Sequence, residues 1–104
     1  MTEDQIPGTA PRTTVLVVED DPVIRKLVMI QLSGFEVDVL EAATAQAALD
    51  ACRTRKPALV FLDIGLPDRS GVDVCEEIKR LYPATLVCMV SGVVGREGRE
   101  KSFG

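Results

Sequence analysis

The sequence predicts an α/β protein built on a doubly wound parallel sheet. Two observations indicate this fold class. Short β-branched and apolar runs alternate with segments of helical periodicity, giving four strands and three helices in the order β, α, β, α, β, α, β. The strands are almost continuously apolar and the connections short, which is typical of parallel strands covered on both faces. At 104 residues the chain is one domain at most.

The first strand is predicted at Thr13–Val18, where TTVLVV is a short β-branched run. Residues 1–12 before it show no periodicity and include two prolines, so we expect a flexible arm. The strand is followed by three acids, Glu19, Asp20 and Asp21.

The first helix is predicted to begin at Pro22, because proline suits the first helical position and Asp21 can accept hydrogen bonds from the free amides there. Gly34 is expected to stop it. The face expected to pack inward carries Ile24, Leu27, Val28 and Leu32. A second, weaker strand is predicted at Phe35–Leu40.

The second helix is predicted in an alanine-rich segment that Thr44 can cap. Its small inward face would lie close to the sheet and consists of Ala45, Ala48, Leu49 and Cys52. Pro57 ends the segment that leads to the third strand, and this strand is predicted at Ala58–Asp63.

The third helix is predicted after the next loop, where Ser70 and Asp73 have the spacing of a capping box. The residues expected to face inward are Val74, Cys75, Ile78 and Leu81. Pro83 closes this helix, and Thr85–Val90, with the sequence TLVCMV, is the fourth predicted strand.

The composition excludes several classes of function. Twelve basic and 16 acidic residues give a net charge of -4 with no basic stripe, so we expect no direct nucleic-acid binding. No apolar run is long enough to span a bilayer, which predicts a cytoplasmic protein. Cys52, Cys75 and Cys88 are expected to be reduced core thiols. The chain has no histidine, so a Ser-His-Asp triad and a histidine metal site are excluded.

The carboxyl ends of the predicted strands carry the chemically active residues, and ligands of open α/β sheets bind beyond these ends. Glu19 and Asp20 follow the first strand, Asp63 ends the third, and Ser91 and Gly92 follow the fourth. Converging carboxylates repel one another unless a hard divalent cation binds among them, and Mg²⁺ is the natural candidate because it also accepts phosphate oxygens.

Such a site could transfer a phosphoryl group onto Asp63, because carboxylates form acyl phosphates and the cation neutralises the transferring oxygens. The Gly65 carbonyl could complete the metal ligands, and Ser91 could donate a hydrogen bond to a phosphoryl oxygen. The residues expected to shape the loops around the site are Pro67, Gly71 and Gly92.

Three motifs, VVEDDPVIR, FLDIGLPDRSG and VSG, resemble in order and separation the receiver (CheY-like) domain of two-component response regulators. The resemblance covers about residues 13–92. It implies a flavodoxin-like sheet with strand order 2-1-3-4. The site residues that it implies are Glu19 and Asp20 as the acidic pair, Asp63 as phosphoacceptor, Gly65 as carbonyl ligand and Ser91 as switch hydroxyl.

The resemblance also implies the reaction and the partners. A sensor histidine kinase or histidine phosphotransfer protein would supply the phosphoryl group in a Mg²⁺-dependent reaction, and phosphorylation would switch partner binding. The chain would then be a phosphoacceptor and not an enzyme, apart from its own phosphorylation and slow dephosphorylation. A donor histidine on the partner agrees with the absence of histidine here.

The chain departs from the family pattern after the fourth strand. Receivers have a fifth strand that ends in lysine and then a fifth helix, whereas this sequence stops at Gly104, and Lys101 follows Ser91 too closely to take that role. We therefore expect residues 13–104 to form a C-terminally incomplete receiver-like domain. Its fourth strand would be an exposed apolar edge, open to pairing in a dimer.

Two alternatives stay open. A phosphatase of the haloacid dehalogenase type also phosphorylates an aspartate beside Mg²⁺. That family has a DxD motif at the strand end, however, and in this chain Gly65 occupies the position of the second acid. A receiver-derived interaction module that takes up no phosphate is the other.

Overall fold

The computed structural model describes residues 12–90 of the chain. Residues 1–11 of the arm expected at residues 1–12, together with Ser91 and Gly92, lie outside the described residues. Within them, four parallel strands form one sheet in the order β2-β1-β3-β4. The predicted α/β class and strand order are confirmed.

The sheet and its helices alternate along the chain, as the sequence predicts. The elements are β1 (Thr13–Val18), α1 (Pro22–Leu32), β2 (Val37–Ala42), α2 (Ala45–Arg55), β3 (Leu59–Asp63), α3 (Gly71–Leu81) and β4 (Leu86–Val90). None of these helices is long and apolar enough to cross a membrane.

The second strand begins two residues later than predicted. The Phe35 amide still donates to the Leu32 carbonyl at 3.0 Å, so Phe35 belongs to the turn that leaves α1. From Val37 onward β2 pairs with β1 in register over the full length of both strands, from Thr13 opposite Val37 to Val18 opposite Ala42. Pairing with β1 therefore sets the bounds of this strand.

Each helix begins at a side-chain cap that the sequence predicts. Asp21 accepts from the Val23 amide at 2.9 Å and the Ile24 amide at 3.4 Å. Thr44 accepts from Ala47 at 3.1 Å, and Ser70 accepts from Val72 at 3.2 Å. These bonds satisfy amides that have no partner inside the helix.

The main core lies between the sheet and the helices α2 and α3. Its buried residues are Leu16, Val18, Ala42, Ala45, Ala48, Cys52, Val60, Leu62, Val74 and Ile78. Leu49 and Cys75 are partly buried against this core. Leu81, expected to face inward, is 45% exposed, because it is the last residue of α3.

The opposite face of the sheet carries α1, and here two expectations were wrong. No residue of α1 is fully buried, and Leu27 is 56% exposed. Cys88, expected in the core, is exposed. The helix lies over β1 and β2, so among the described residues no helix covers this face of β3 and β4, onto which Cys88 projects.

Candidate acidic site at the carboxyl end of the sheet

Neighbouring parallel strands bring the predicted acidic residues together. Val18 of β1 pairs with Leu62 of β3, so the residues that follow them, Glu19 and Asp63, lie side by side at the carboxyl end of the sheet. Glu19 is 4% exposed and Asp63 is 2% exposed, while Asp20 is half-buried. Such burial is costly for a charged group unless it has interacting partners.

The three carboxylates form one compact cluster. One oxygen from each of Glu19, Asp20 and Asp63 lies within 4.8 Å of the others. Carboxylate oxygens this close together can hold one small cation among them, and an all-oxygen donor set suits a hard ion that keeps some of its water ligands. The residues present fit Mg²⁺.

The backbone at Glu19 is held from three sides. Its amide donates to the Ala42 carbonyl of β2 at 3.0 Å. Its side-chain Oε2 accepts from the Asp21 amide at 3.0 Å. The Arg25 guanidinium donates to the Glu19 carbonyl at 2.8 Å and to Glu41 Oε1 at 2.9 Å. The position of Glu19 is therefore fixed by contacts to β2 and to the beginning of α1 together.

Arg25 was missed at the sequence level, although it ends the motif VVEDDPVIR. The spacing did contain a signal. Arg25 lies one helical turn after Asp21, and its amide donates to the Asp21 carbonyl at 2.9 Å, so its side chain lies near the acids that precede the helix. The Glu19 carbonyl as its acceptor could not be read from spacing.

The loop after Asp63 is a closed turn. Gly65 and Ser70 form an isolated antiparallel bridge, and the Gly71 amide donates to the Ile64 carbonyl at 2.8 Å. A Cβ at Gly71 would collide with the Asp63 carbonyl oxygen and would lie 2.7 Å from Ile64 Cα. Glycine is required there by this close approach.

The remaining predicted loop and site residues are placed as follows. Pro67 is exposed in the turn. The Gly65 carbonyl as a metal ligand stays a prediction. Ser91 and Gly92 lie outside the described residues, so their roles beside the phosphoryl group also stay predictions.

A second loop contact was missed at the sequence level. Asp68 accepts from the Ala45 amide at 2.8 Å and from the Gln46 amide at 3.1 Å, both in the first turn of α2. The acceptor and donors are 22 and 23 residues apart in sequence. No local pattern signals a contact of this range.

An apolar groove of about 360 Å³ adjoins the acidic cluster on the α1 face. Its apolar lining includes Val17, Ile24, Val28, Leu32, Phe61 and Val90. Glu19 and Asp63 also line it. The buried carboxylates therefore border a largely apolar surface, which strengthens electrostatic interactions made there.

Comparison with known proteins identifies the family. The model of the response regulator receiver domain matches residues 15–102. The chain belongs to the response regulator receiver family. Family membership agrees with the receiver motifs and favours a receiver domain over a dehalogenase-type phosphatase.

The receiver matches only part of the length of longer regulatory proteins. It is 41% identical over 68 residues to the KDP operon transcriptional regulatory protein KdpE of Escherichia coli, covering 65% of this chain and 30% of that protein. It is 34% identical over 86 residues to the probable transcriptional regulatory protein TcrX of Mycobacterium tuberculosis, covering 83% and 37%. The receiver thus spans about a third of these relatives.

A solved structure shares the fold. The receiver domain protein (CheY-like) from Methanospirillum hungatei superposes with a TM-score of 0.76 at 29% identity, covering 89% of this chain and 74% of that one. The parallel sheet with order 2-1-3-4 and its flanking helices is therefore the receiver fold.

Proposed function

We propose that this receiver accepts a phosphoryl group on Asp63 from a phosphohistidine, in a Mg²⁺-dependent reaction, and so switches partner binding in two-component signal transduction. The donor would be a sensor histidine kinase or a histidine phosphotransfer protein. The observation that carries the proposal is the cluster of Glu19, Asp20 and Asp63, whose carboxylate oxygens lie within 4.8 Å of one another at the carboxyl end of the sheet.

Asp63 is suited to act as the nucleophile. A carboxylate oxygen of Asp63 would attack phosphorus, and the new P–O bond would form as the P–N bond of phosphohistidine breaks. The histidine nitrogen would keep the bonding electron pair and take up a proton. Bound Mg²⁺ would neutralise charge on the transferring oxygens. Since Asp63 is only 2% exposed, attack is limited to a donor that enters this end of the sheet.

The other site residues would hold the ion and the phosphoryl group. Asp20, Asp63 and the Gly65 carbonyl would be direct ligands, and Glu19 would act through a water molecule. The hydrogen bond from the Asp21 amide to Glu19 orients that carboxylate in advance, which lowers the cost of assembling the site. Ser91 would donate a hydrogen bond to a phosphoryl oxygen and so couple phosphorylation to shape change.

The proposal describes a cytoplasmic phosphoacceptor and not a turnover enzyme. Its output would be altered binding of a protein partner, without direct contact to nucleic acid. KdpE and TcrX are transcriptional regulatory proteins by name, which supports a role in regulation.

The functional test follows phosphorylation by intact mass. The protein is incubated with Mg²⁺ and a small acyl phosphate or phosphoramidate, and we expect wild type to gain one phosphoryl group. Asp63→Asn should gain none, while Asp73→Asn, which changes an exposed acid in the first turn of α3, should behave as wild type. Chelation of Mg²⁺ should abolish the gain. No gain in wild type would contradict the proposal.

One alternative is supported by a specific observation. The exposed apolar residues Val23, Leu27 and Ile30 on α1 suit a receiver-derived interaction module that works by contact without phosphate. Partner binding that is equal for wild type and Asp63→Asn, with no mass gain in either, would favour this module.

We also propose that a second copy of the chain pairs along β4. In the described sheet β4 is an edge strand that pairs with β3, and Leu86 on it is 65% exposed. The segment 84–90 has no charged residue, so two copies would bring no like charges together. When two copies related by a two-fold axis pair through the same edge strand, the two strands run antiparallel. Cys88 is the middle residue of β4.

A cross-linking experiment tests this pairing. Antiparallel pairing centred on Cys88 would place the two Cys88 Cβ atoms about 5 Å apart, within reach of a short bis-maleimide. We expect a cross-linked dimer that is lost in Cys88→Ser and kept in Cys75→Ser, together with a dimeric solution molar mass. A monomeric mass at micromolar concentration would contradict the proposal.

A further inference from the structure

The loop between β3 and α3 is attached to α2 by one carboxylate. Asp68 Oδ1 accepts from the Ala45 amide at 2.8 Å and Oδ2 accepts from the Gln46 amide at 3.1 Å. Both oxygens of the side chain are therefore used in one contact to another element. The hydrogen bond from Ala45, ahead of that from Gln46, holds the pKa of Asp68 below its ordinary range, which agrees with a strongly bonded carboxylate.

The helix does not depend on Asp68 for its cap. Thr44 already accepts from the Ala47 amide at 3.1 Å, which is the usual N-cap arrangement. Asp68 instead takes the first two amides of α2, to which a residue inside the helix has no access. The contact therefore fixes the loop as much as it completes the helix.

The helix is a rigid anchor for this contact. Ala45, Ala48 and Cys52 of α2 are all fully buried against the sheet. The position of the first turn of α2 is thus set by the main core. Through Asp68, the same core positions the tip of the loop.

The loop passes this constraint on to the acidic site. Gly65 and Ser70 are bridged across the turn, and the Gly71 amide bonds to the Ile64 carbonyl at 2.8 Å. A shift at Asp68 would therefore move Gly65 along with the rest of the turn. The turn is also attached through the Ile64 amide, which donates to the Val90 carbonyl at 3.3 Å. The ion pair of Arg69 with Glu77 at 2.8 Å is partly exposed and contributes little.

We infer that Asp68 is a positioning residue for the metal and phosphoryl site: by tying the turn to α2 it holds the Gly65 carbonyl in place beside Asp63. The inference rests on the proposed function of this site. In this role Asp68 itself would contact neither the ion nor the phosphoryl group.

The test measures Mg²⁺ affinity without phosphoryl transfer. Isothermal titration with MgCl₂ is carried out on wild type, Asp68→Ala, Asp68→Asn and Thr44→Ala, after circular dichroism has verified that each variant is folded. We expect Asp68→Ala to raise the Mg²⁺ Kd about tenfold, as loss of an outer-sphere support does. Asp68→Asn should raise it less, because its amide oxygen can still accept one hydrogen bond.

Thr44→Ala is the matched control. It removes a hydrogen bond from the same end of α2 but leaves the loop contact intact, so we expect an unchanged Mg²⁺ Kd. In the metal-free protein, amide hydrogen exchange at Gly71 should be faster in Asp68→Ala than in wild type and unchanged in Thr44→Ala.

The outcomes separate the inference from the proposed function. If wild type binds Mg²⁺ and Asp68→Ala binds it equally well, the inference is overturned and the proposed function stands. If Asp68→Ala and Thr44→Ala weaken binding equally, the effect comes from the helix end and the inference is again overturned. If wild type binds no Mg²⁺, the proposed function fails and the inference with it.

Discussion

Arg25 holds the backbone of Glu19 in place: its guanidinium donates to the Glu19 carbonyl at 2.8 Å while also pairing with Glu41 at 2.9 Å. The Arg25 side chain is 20% exposed, so this contact is shielded from solvent more than most surface ion pairs. Arg25 of α1 thus joins the carboxyl ends of β1 and β2 next to the acidic cluster.

Loss of this contact should destabilise the fold. We expect Arg25→Ala to lower the free energy of unfolding by about 1–2 kcal/mol, because a charge-assisted hydrogen bond to a partly buried carbonyl is removed. The measurement is urea unfolding followed by circular dichroism. Arg53→Ala is the control, since Arg53 pairs with Asp50 at 3.5 Å on an exposed helix face and should change stability by less than about 0.5 kcal/mol. Equal effects of the two substitutions would contradict this assignment.

Gly71→Ala should be strongly destabilising. The added Cβ would meet the Asp63 carbonyl oxygen and lie 2.7 Å from Ile64 Cα, both backbone atoms that cannot move aside cheaply. We expect a loss of about 1–3 kcal/mol in urea unfolding. Gly34→Ala is the matched control, because its Cβ would meet the Gln31 carbonyl at an ordinary 4.0 Å. A loss as large in Gly34→Ala would show that the close approach at Gly71 is not the cause.

The contact of Asp68 with α2 should depend on pH in a defined direction. Its pKa is lowered from the ordinary 3.8 on folding, so its contribution to stability is complete above 3.8 and is lost as the pH falls through the lower value of the folded state. We expect the difference in urea midpoint between wild type and Asp68→Asn to stay constant from neutral pH to about 4 and to shrink below that. A difference that grows on acidification would contradict this sign.

The three cysteines should react at different rates in the native protein. Cys88 is exposed, Cys75 is intermediate and Cys52 is buried. Burial also raises the pKa of the Cys52 thiol, which lowers the fraction of reactive thiolate. With iodoacetamide and peptide mass mapping, we expect Cys88 to be alkylated first and Cys52 last. Rapid alkylation of Cys52 under native conditions would contradict the observed core.

Much of the fold was predictable because local and long-range signals agree. The caps at Asp21, Thr44 and Ser70 and the apolar strands follow from propensity and burial. The error in β2 is two residues, which leaves each side chain on its predicted face because strands repeat every two residues. The clustering of Glu19 and Asp63 was also predictable, since parallel strands end at the same edge.

The rest depends on packing that sequence periodicity does not encode. Leu27 and Cys88 have apolar neighbours in the pattern expected of core residues, yet both are exposed. Their burial depends on which elements pack over the side of the sheet that carries α1. The contacts of Arg25 with Glu19 and of Asp68 with Ala45 join different elements through backbone groups. Backbone donors and acceptors are present at every residue, so no residue type marks these partners.

The central claim, that Asp63 is the phosphoacceptor, is tested most directly by locating the phosphoryl group. After phosphorylation with a small acyl phosphate and Mg²⁺, borohydride reduces an aspartyl phosphate to homoserine, and peptide mass spectrometry identifies the position. The account predicts homoserine at position 63 in wild type and none in protein that was not phosphorylated. Homoserine at Asp20 or another acid in place of Asp63, or its absence from protein that gained a phosphoryl group, would contradict the account.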